Sequence, residues 1–499
     1  MSNPYLPGWE YIPDGEPRVF GDRVYVYGSH DRVNSEEFCD FKLKVWSAPV
    51  DDLTNWTCHG HCFHTRADRD HSNSTDWATR ELYAPDVVEK DGKYYLFAYI
   101  VGEPGCVAVA DRPEGPFTLI GRYDAAAQCE DLKQHPEKYL DSPNAPDPFL
   151  VDGRPEENGT QAEIAIRDMD FPIMIDPGVL VDDDGRVYVY CGYLHSYMFE
   201  VDPEDMHTVI PGSYRKDFIP KTGWPSEACF FEACSPRKIN GTYYLIYSPR
   251  QGSRLAYATS DSPTGPFTYR GYFVDNGVDF PAGNDHGSVC KIGDEWYIFY
   301  HRMTNGTIMS RRGGVERLKL NDDGSFSVAA MTSQGFEKAM NPYYVTEADT
   351  ACVLTGGPVI VEKDVFTRPI AGIVGGSVIG YRYFDFGNDY SGTTLKLFLE
   401  LTGGGIGGRV HVWLDGVPGS LPAAREIGCA DIPQHDGALG IEIGCADIPQ
   451  HDGALGIDLP AITGVHAVYL TFETGRSGWF KSSFDNRELC RLTRLVFVK

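Results

Sequence analysis

Short runs in which Tyr, Val, Ile and Phe alternate with polar residues fill about the first 330 positions, punctuated by Gly, Asp, Asn and Pro. No long stripe of helical period interrupts them, so the pattern predicts an all-β chain. Five times a turn containing Gly, usually with Asp or Asn, precedes an aromatic strand: FGDRVYVYG from Phe20, KDGKYYLFAY from Lys90, DDGRVYVYCGY from Asp183, INGTYYLIYS from Ile239 and IGDEWYIFYHR from Ile292. Asp-Gly and Asn-Gly favour primed turns whose twist matches the flanking strands, and each copy therefore predicts a hairpin. A second echo, DRPEGPFTLIG from Asp111 and DSPTGPFTYRG from Asp261, follows the second and fourth copies and marks the outer edge of their modules. Repeats made only of strands, roughly fifty to ninety residues apart, predict a five-bladed β-propeller over residues 1–335.

After AAMTSQGFEKAMNPYYV the repeat stops and Gly, Val, Ile and Leu become commoner, with short strands expected around Gly376–Gly387, Leu395–Leu401, Arg409–Leu414 and His466–Phe472. This predicts an antiparallel β-sandwich (jelly-roll) over residues 336–499. Inside it EIGCADIPQHDGALGI occurs at Glu426–Ile441 and again, identically, at Glu442–Ile457. Its Gly and Pro content reads as a mobile loop, not as a metal site built from Cys429, His435, Cys445 and His451.

Charge narrows the partners. With 44 basic and 71 acidic residues the formal charge is −27, which repels phosphate backbones and anionic membranes, so neither nucleic acid nor membrane is expected. The start, Met-Ser-Asn-Pro-Tyr-Leu-Pro-Gly-Trp, has no basic region or apolar run of leader type, and a cytoplasmic protein is the expectation. The 13 cysteines lack paired spacing and read as free, mostly buried thiols. Cys58 and Cys62, with His59, His61 and His64, lack a second ligand pair at zinc-finger spacing, so no structural zinc is expected there.

The repeat also aligns candidate chemistry. Counting back eleven or twelve residues from the shared tyrosines Tyr25, Tyr95, Tyr188, Tyr244 and Tyr297 reaches Asp14, Tyr83 or Ala84, Asp176, Glu232, and Asp285 or His286. Equivalent positions on innermost strands face one axis, so three carboxylates from three modules are expected to converge. Crowded like charges cannot all ionise cheaply, and at least one pKa must rise. One site then offers both an acid and a base, which is what cleavage of an acetal requires. Turn-capping by Asp explains any one of these residues, but explains three at one offset less well.

At these residues the chain resembles glycoside hydrolase family 43. The resemblance lies in ordered blocks: NPYLPGWEYIPDGEPRVFGDRVYVYGSHD, ELYAPDVVEKDGKYYLFAY, MIDPGVLVDDDGRVYVYCGY, FFEACSPRKINGTYYLIYS and NDHGSVCKIGDEWYIFYHR. It implies an inverting hydrolase with Asp14 as general base, Glu232 as general acid and Asp176 tuning and orienting that acid. It further implies that Arg302 approaches Asp176 and the sugar. His286 is placed at the axis near a metal ion, commonly calcium, through water, because imidazole is a poor direct ligand for a hard cation. Trp9, His30, Asp31, Trp77, Tyr83 and Phe231 are candidate sugar contacts, flat rings for the apolar face of a sugar and polar groups for its hydroxyls.

Two departures bear on substrate: Tyr83 stands where the family more often has tryptophan, and Glu232-Ala233-Cys234 replaces the commoner Glu-Gly-Pro. The segments VTEAD, GSVIGYRYFDFG, GRVHVWLDG, HAVYLTFETG and LTRLVFV resemble carbohydrate-binding module family 6, with Trp479 as a stacking candidate and Thr493 where an acidic metal ligand is usual. The expected function is exo-hydrolysis of terminal pentoses from hemicellulose-derived oligosaccharides, as an α-L-arabinofuranosidase. The alternatives are a β-xylosidase or β-D-galactofuranosidase of the same mechanism, or a non-catalytic glycan-binding propeller.

Overall fold

Strands β1 (Glu16–Phe20), β2 (Arg23–Tyr27), β3 (Lys42–Pro49) and β4 (Thr57–His64) form an antiparallel sheet in chain order, and β5 (Leu82–Lys90), β6 (Lys93–Ile100), β7 (Gly105–Ala110) and β8 (Thr118–Tyr123) repeat it. A two-residue pair, β9 (Leu150–Val151) with β10 (Arg154–Pro155), comes next. The four-stranded order then recurs in β11 (Gly178–Val181), β12 (Val187–Cys191), β13 (Tyr197–Val201) and β14 (Arg215–Lys216), and in β15 (Phe230–Ile239), β16 (Thr242–Pro249), β17 (Arg254–Ser260) and β18 (Thr268–Asp275). A three-stranded sheet of β19 (Ser288–Ile292), β20 (Glu295–Thr304) and β21 (Thr307–Leu318) ends the series. The computed structural model describes residues 2–75, 78–101, 103–123, 150–151, 154–155, 174–220, 223–388, 395–402, 405–420, 424–432, 434, 454–474 and 486–499.

The first two strands of each sheet are the five expected hairpins. Asp91-Gly92 and Asn240-Gly241 carry positive φ at both turn positions, 53° and 74° in one and 52° and 85° in the other, which is the primed geometry. The third hairpin differs, turning through the five residues Asp182–Arg186. Its extra length accommodates Asp182, whose backbone carbonyl accepts from Gly185 and whose N–H donates to Arg186.

First strands neighbour one another around a circuit: β1 lies against β5, β5 against β11, β11 against β15, and β19 against β1. Ser235 of β15 bonds Ser288 of β19 at 2.6 Å, and a parallel bridge joins Gly15 to Gly287. Buried ion pairs cross-tie these strands. Arg18 holds Asp86 through Nε at 3.0 Å and donates to the Val179 carbonyl, while Arg237 reaches Glu16 at 2.7 Å and the Val289 carbonyl at 3.1 Å. Removing one member of such a pair strands a buried charge, at a cost of about 3–5 kcal/mol.

The last third forms two antiparallel sheets. One runs Val359–Ile360, Ile370–Ile373, Cys490–Val498, Leu395–Thr402, Leu455–Leu459, with Thr346–Glu347 paired to Cys490–Val498; the other runs Val353–Thr355, Val378–Asp385, Val465–Glu473, Gly408–Leu414, Arg425–Ile432. Leu397, Leu399, Val410, Val412, Leu470 and Phe497 of both sheets share one core, which continues into Ile298, Tyr300 and Leu318 of the sheet β19–β21. Polar contacts cross the same boundary: Arg312 and Arg368 both bind Asp349, at 3.1 and 2.6 Å, and Asn305 pairs with Ile360 and Glu362.

The duplicated segment is not wholly a loop. Its first copy opens within strand Arg425–Ile432, with Ile427 and Ile432 buried, and its second ends within Leu455–Leu459; residues 433 and 435–453 lie outside the described residues, as do His435, Cys445 and His451. Thr493 is buried and its hydroxyl meets that of Thr402 at 3.1 Å, a packing pair between strands. Trp479 lies outside the described residues. Among the described residues no helix is long and apolar enough to cross a membrane.

Candidate active site

Asp14 stands just before β1 and Asp176 just before β11, both with positive φ, 57° and 53°. Non-glycine residues hold that conformation at a cost of order 1–3 kcal/mol, and such strain clusters at functional sites. Glu232 lies inside β15, where pairing with β16 slips from Glu232↔Ser248 to Ser235↔Ile246. The bulge leaves Ala233 at φ 67° and turns its N–H to Asp176 Oδ2 at 3.1 Å. The second sheet slips in the same way between Tyr83 and Asp86. Tyr83-Ala84-Pro85-Asp86 and Glu232-Ala233-Cys234-Ser235 are therefore equivalent bulges, which is why one sequence offset reached both.

His286 joins two of the carboxylates. Its Nδ1 lies 3.8 Å from Asp14 Oδ1 and 3.7 Å from Asp176 Oδ2, with all three side chains at most 8% exposed. Arg311 reaches Asp14 Oδ1 at 2.8 Å, and His301 Nδ1 lies 3.2 Å from the same oxygen. Burial alone raises the Asp14 carboxyl; the Arg311 charge and the His301 hydrogen bond overcome it and hold Asp14 well below the ordinary carboxylate range. At Glu232 the Arg311 charge is outweighed. Burial, then the charge of Asp14, raise it from 4.5 to about 7. Asp176 is also pushed well above its usual value, by burial and then by the charges of Glu232 and Asp14.

The arrangement thus holds one carboxylate ionised beside a pair that cannot both ionise, a base and an acid available together near neutral pH. Burial lowers His286 to about 4, so it is a neutral imidazole between the two aspartates. Asp285, at the offset of His286, accepts from the His301 N–H at 3.4 Å and is pushed up by burial.

Arg302 does not approach Asp176. Its guanidinium donates to the Ala351 carbonyl at 2.9 Å and lies over Phe280, at the boundary with the C-terminal sheets. Arg302 is paired across the hairpin with Arg312 and Met303 with Arg311, so Arg302 and Arg311 leave opposite faces of the sheet. Arg311 is the cation of the site. Asp31 is not a sugar contact either: wholly buried, it grips Arg311 with both oxygens at 2.9 Å and accepts the Arg311 N–H. His30 is held between Glu10 at 3.3 Å and Asp40 at 3.2 Å. Trp9 remains 44% exposed beside Trp46, with Lys44 over its ring. Tyr83 sits in the field of Arg311 and Asp176, and the Phe231 ring packs at a tilt against Tyr193, with centroids 5.0 Å apart. Trp77 lies outside the described residues.

As a direct calcium ligand His286 does not fit: its one contacting nitrogen faces oxygens already taken by Arg311 and the Ala233 N–H. Among the described residues no group of three or more close His, Cys, Asp or Glu ligand atoms includes it. Sequence reasoning missed Arg311, His301 and Asn284, which bonds Glu232. The available signal was Arg311-Arg312 inside an otherwise buried strand, since buried arginines demand carboxylate partners.

Residues 161–326 match the family model of glycosyl hydrolases family 43. A "Xylosidase/arabinosidase" of Thermoclostridium stercorarium is 36% identical over 430 residues, covering 77% of this chain and 82% of that protein. An "Arabinoxylan arabinofuranohydrolase" of Paenibacillus polymyxa is 26% identical over 507 residues, covering 94% of this chain and 70% of its own. A crystal structure of a family 43 arabinoxylan arabinofuranohydrolase from Bacillus subtilis, in complex with cellotetraose, superposes with a TM-score of 0.48 at 23% identity, covering 100% of this chain and 97% of that one. On the sequence match to the first of these relatives and to the family model, the chain belongs to glycosyl hydrolase family 43.

Proposed function

We propose that the protein is an exo-acting, inverting glycosidase that removes terminal pentoses from hemicellulose-derived oligosaccharides, with α-L-arabinofuranosides preferred and β-xylosides second. The observation that carries the mechanism is the opposite tuning of two buried carboxyls, Asp14 held low by Arg311 and Glu232 raised to about 7. Asp14 takes a proton from water as that water attacks the anomeric carbon. Glu232 gives its proton to the departing oxygen. Asp176, bonded to the backbone beside Glu232, orients that acid and raises its proton affinity whenever it is itself ionised. Inversion follows from a single displacement in which the base activates water and forms no bond to sugar.

The substrate class rests on the relatives named xylosidase/arabinosidase and arabinoxylan arabinofuranohydrolase. A β-D-galactofuranosidase of Aspergillus niger, 28% identical over 353 residues, keeps that activity as the competing reading. The circuit of first-strand contacts supports a five-bladed propeller over residues 1–335, and the two sheets sharing a core support a sandwich over 336–499. The extensive boundary with the fifth sheet favours bracing as that sandwich's first role, and Arg302 serves it.

Hydrolysis of nitrophenyl α-L-arabinofuranoside, β-D-xyloside and β-D-galactofuranoside, with arabinoxylan digests, tests the reading. Release of arabinose or xylose that is lost in Asp14→Ala supports it; binding of glycan without product would favour a lectin-like propeller.

A further inference from the structure

His61 and His64 are three positions apart in β4, and a regular strand would send them to opposite faces. The pairing of β4 with β3 runs Lys42↔His64, Leu43↔Phe63, Lys44↔His61, skipping Cys62. That bulge puts both histidines on one face, beside Lys42 and Lys44. The following segment folds back over them, tied by the Ser74 N–H to the His64 carbonyl at 2.8 Å and the His64 N–H to Ser74 Oγ at 3.0 Å. It delivers Asp68 and His71. The rings of His64 and His71 stack at 4.4 Å, and His61 lies 5.3 Å from each.

One ligand atom from each of His61, His64, Asp68 and His71 lies within 4.8 Å of the others. His64 is only 5% exposed, and its buried Nδ1 has no hydrogen-bond partner among the described residues. A buried polar atom of that kind calls for a partner that those residues do not supply. His71 Nδ1 lies 2.9 Å from Asp68 Oδ1, which sets an imidazole donor and a carboxylate donor side by side.

We propose that His61, His64, Asp68 and His71 bind one divalent transition ion of the zinc class, in a closed structural site that pins residues 65–75 to β4. Three imidazoles and a carboxylate suit tetrahedral zinc and do not suit calcium, which takes oxygen donors. Lys42 Nζ, 3.9 Å from Asp68 Oδ2, is the opposing charge and must swing outward on loading. The cysteines take no part: Cys62 is buried in an apolar cluster and Cys58 is exposed. None of the four is among the groups that shift Asp14, Asp176 or Glu232, and the site's failure would leave the proposed hydrolysis untouched.

The test is calorimetric titration of chelator-treated, full-length protein with Zn2+, and visible spectroscopy with Co2+, for the wild type, His71→Ala, Asp68→Asn and His411→Ala. The last probes a second group, His411, Glu426 and Cys429, on the C-terminal sheet. One Zn2+ per chain, tetrahedral-intensity Co2+ bands and a thermal midpoint raised by Zn2+ are expected in the wild type and in His411→Ala. Binding should weaken about tenfold or more in His71→Ala, whose surface position spares the fold. No saturable binding by the wild type, or binding kept in His71→Ala and lost in His411→Ala, overturns the proposal.

Discussion

Asp14 and Arg311 meet at 2.8 Å with neither side chain more than 6% exposed, and Asp31 grips the same guanidinium from the other side with two contacts of 2.9 Å. The arginine is thus a fixed charge held in place by one carboxylate and directed at another. Because Asp14 is the group nearest that charge, it stays ionised, and its ionisation in turn raises Glu232 and Asp176. The strained backbone at Asp14 and Asp176 is held by the sheets on either side, as the Gly15 to Gly287 bridge illustrates.

Replacing Arg311 with Met removes the cation that keeps Asp14 low. The acid limb of the kcat/KM profile, which reports that base, should move to higher pH, and kcat should fall by about a hundredfold or more. Two buried carboxylates also lose their partner, so a stability loss of about 3–5 kcal/mol is expected by denaturant unfolding. Arg311→Lys keeps the charge but not the fork and should fall between the two.

Asp31→Asn separates positioning from sugar binding. With Asp31 acting only through Arg311, kcat and the acid limb change while KM for aryl arabinofuranoside holds. A large rise in KM with kcat unchanged would return Asp31 to the sugar.

Asp176→Asn removes the carboxyl that competes with Glu232 for ionisation, so Glu232 should then lose its proton more readily. The alkaline limb is expected to shift to lower pH. An unmoved limb would leave Asp176 a purely geometric part.

Glu232→Gln carries two expectations. Loss of activity should be far greater for substrates with poor leaving groups than for nitrophenyl glycosides, since only the former depend on proton donation. Stability should move the other way. Folding raises this carboxyl from 4.5 to about 7, so the native state loses stability as pH climbs through that window and remains penalised above it. The variant should therefore melt higher than wild type above pH 7 and equally below pH 4.5, read by thermal scans.

Asp14, Asp176 and Glu232 were legible in the sequence because the repeat supplies its own ruler: a shared tyrosine in each hairpin fixes the offset, and equivalent bulges in the second and fourth sheets preserve it. Arg311 was not. Strand β20 is buried along nearly its whole length, so no alternation of polar and apolar residues shows which of Arg302 and Arg311 faces the site. Asp31 looked like a sugar contact for the same reason, its buried partner being invisible along the chain. The pairing of His61 with His64 depended on a bulge at Cys62 that period-two reading forbids. Strand Arg425–Ile432 was hidden by Gly and Cys within a duplicated segment, although Ile427 and Ile432 mark its buried face.

The most direct test of Asp14 as base and Glu232 as acid is the anomeric configuration of the first-formed sugar, followed by proton NMR during rapid hydrolysis of an aryl α-L-arabinofuranoside. The account predicts β-arabinofuranose first, with the α form appearing only by mutarotation. Initial release of the α form would mean that a carboxylate attacks the sugar itself, and the roles assigned to Asp14 and Glu232 would be wrong.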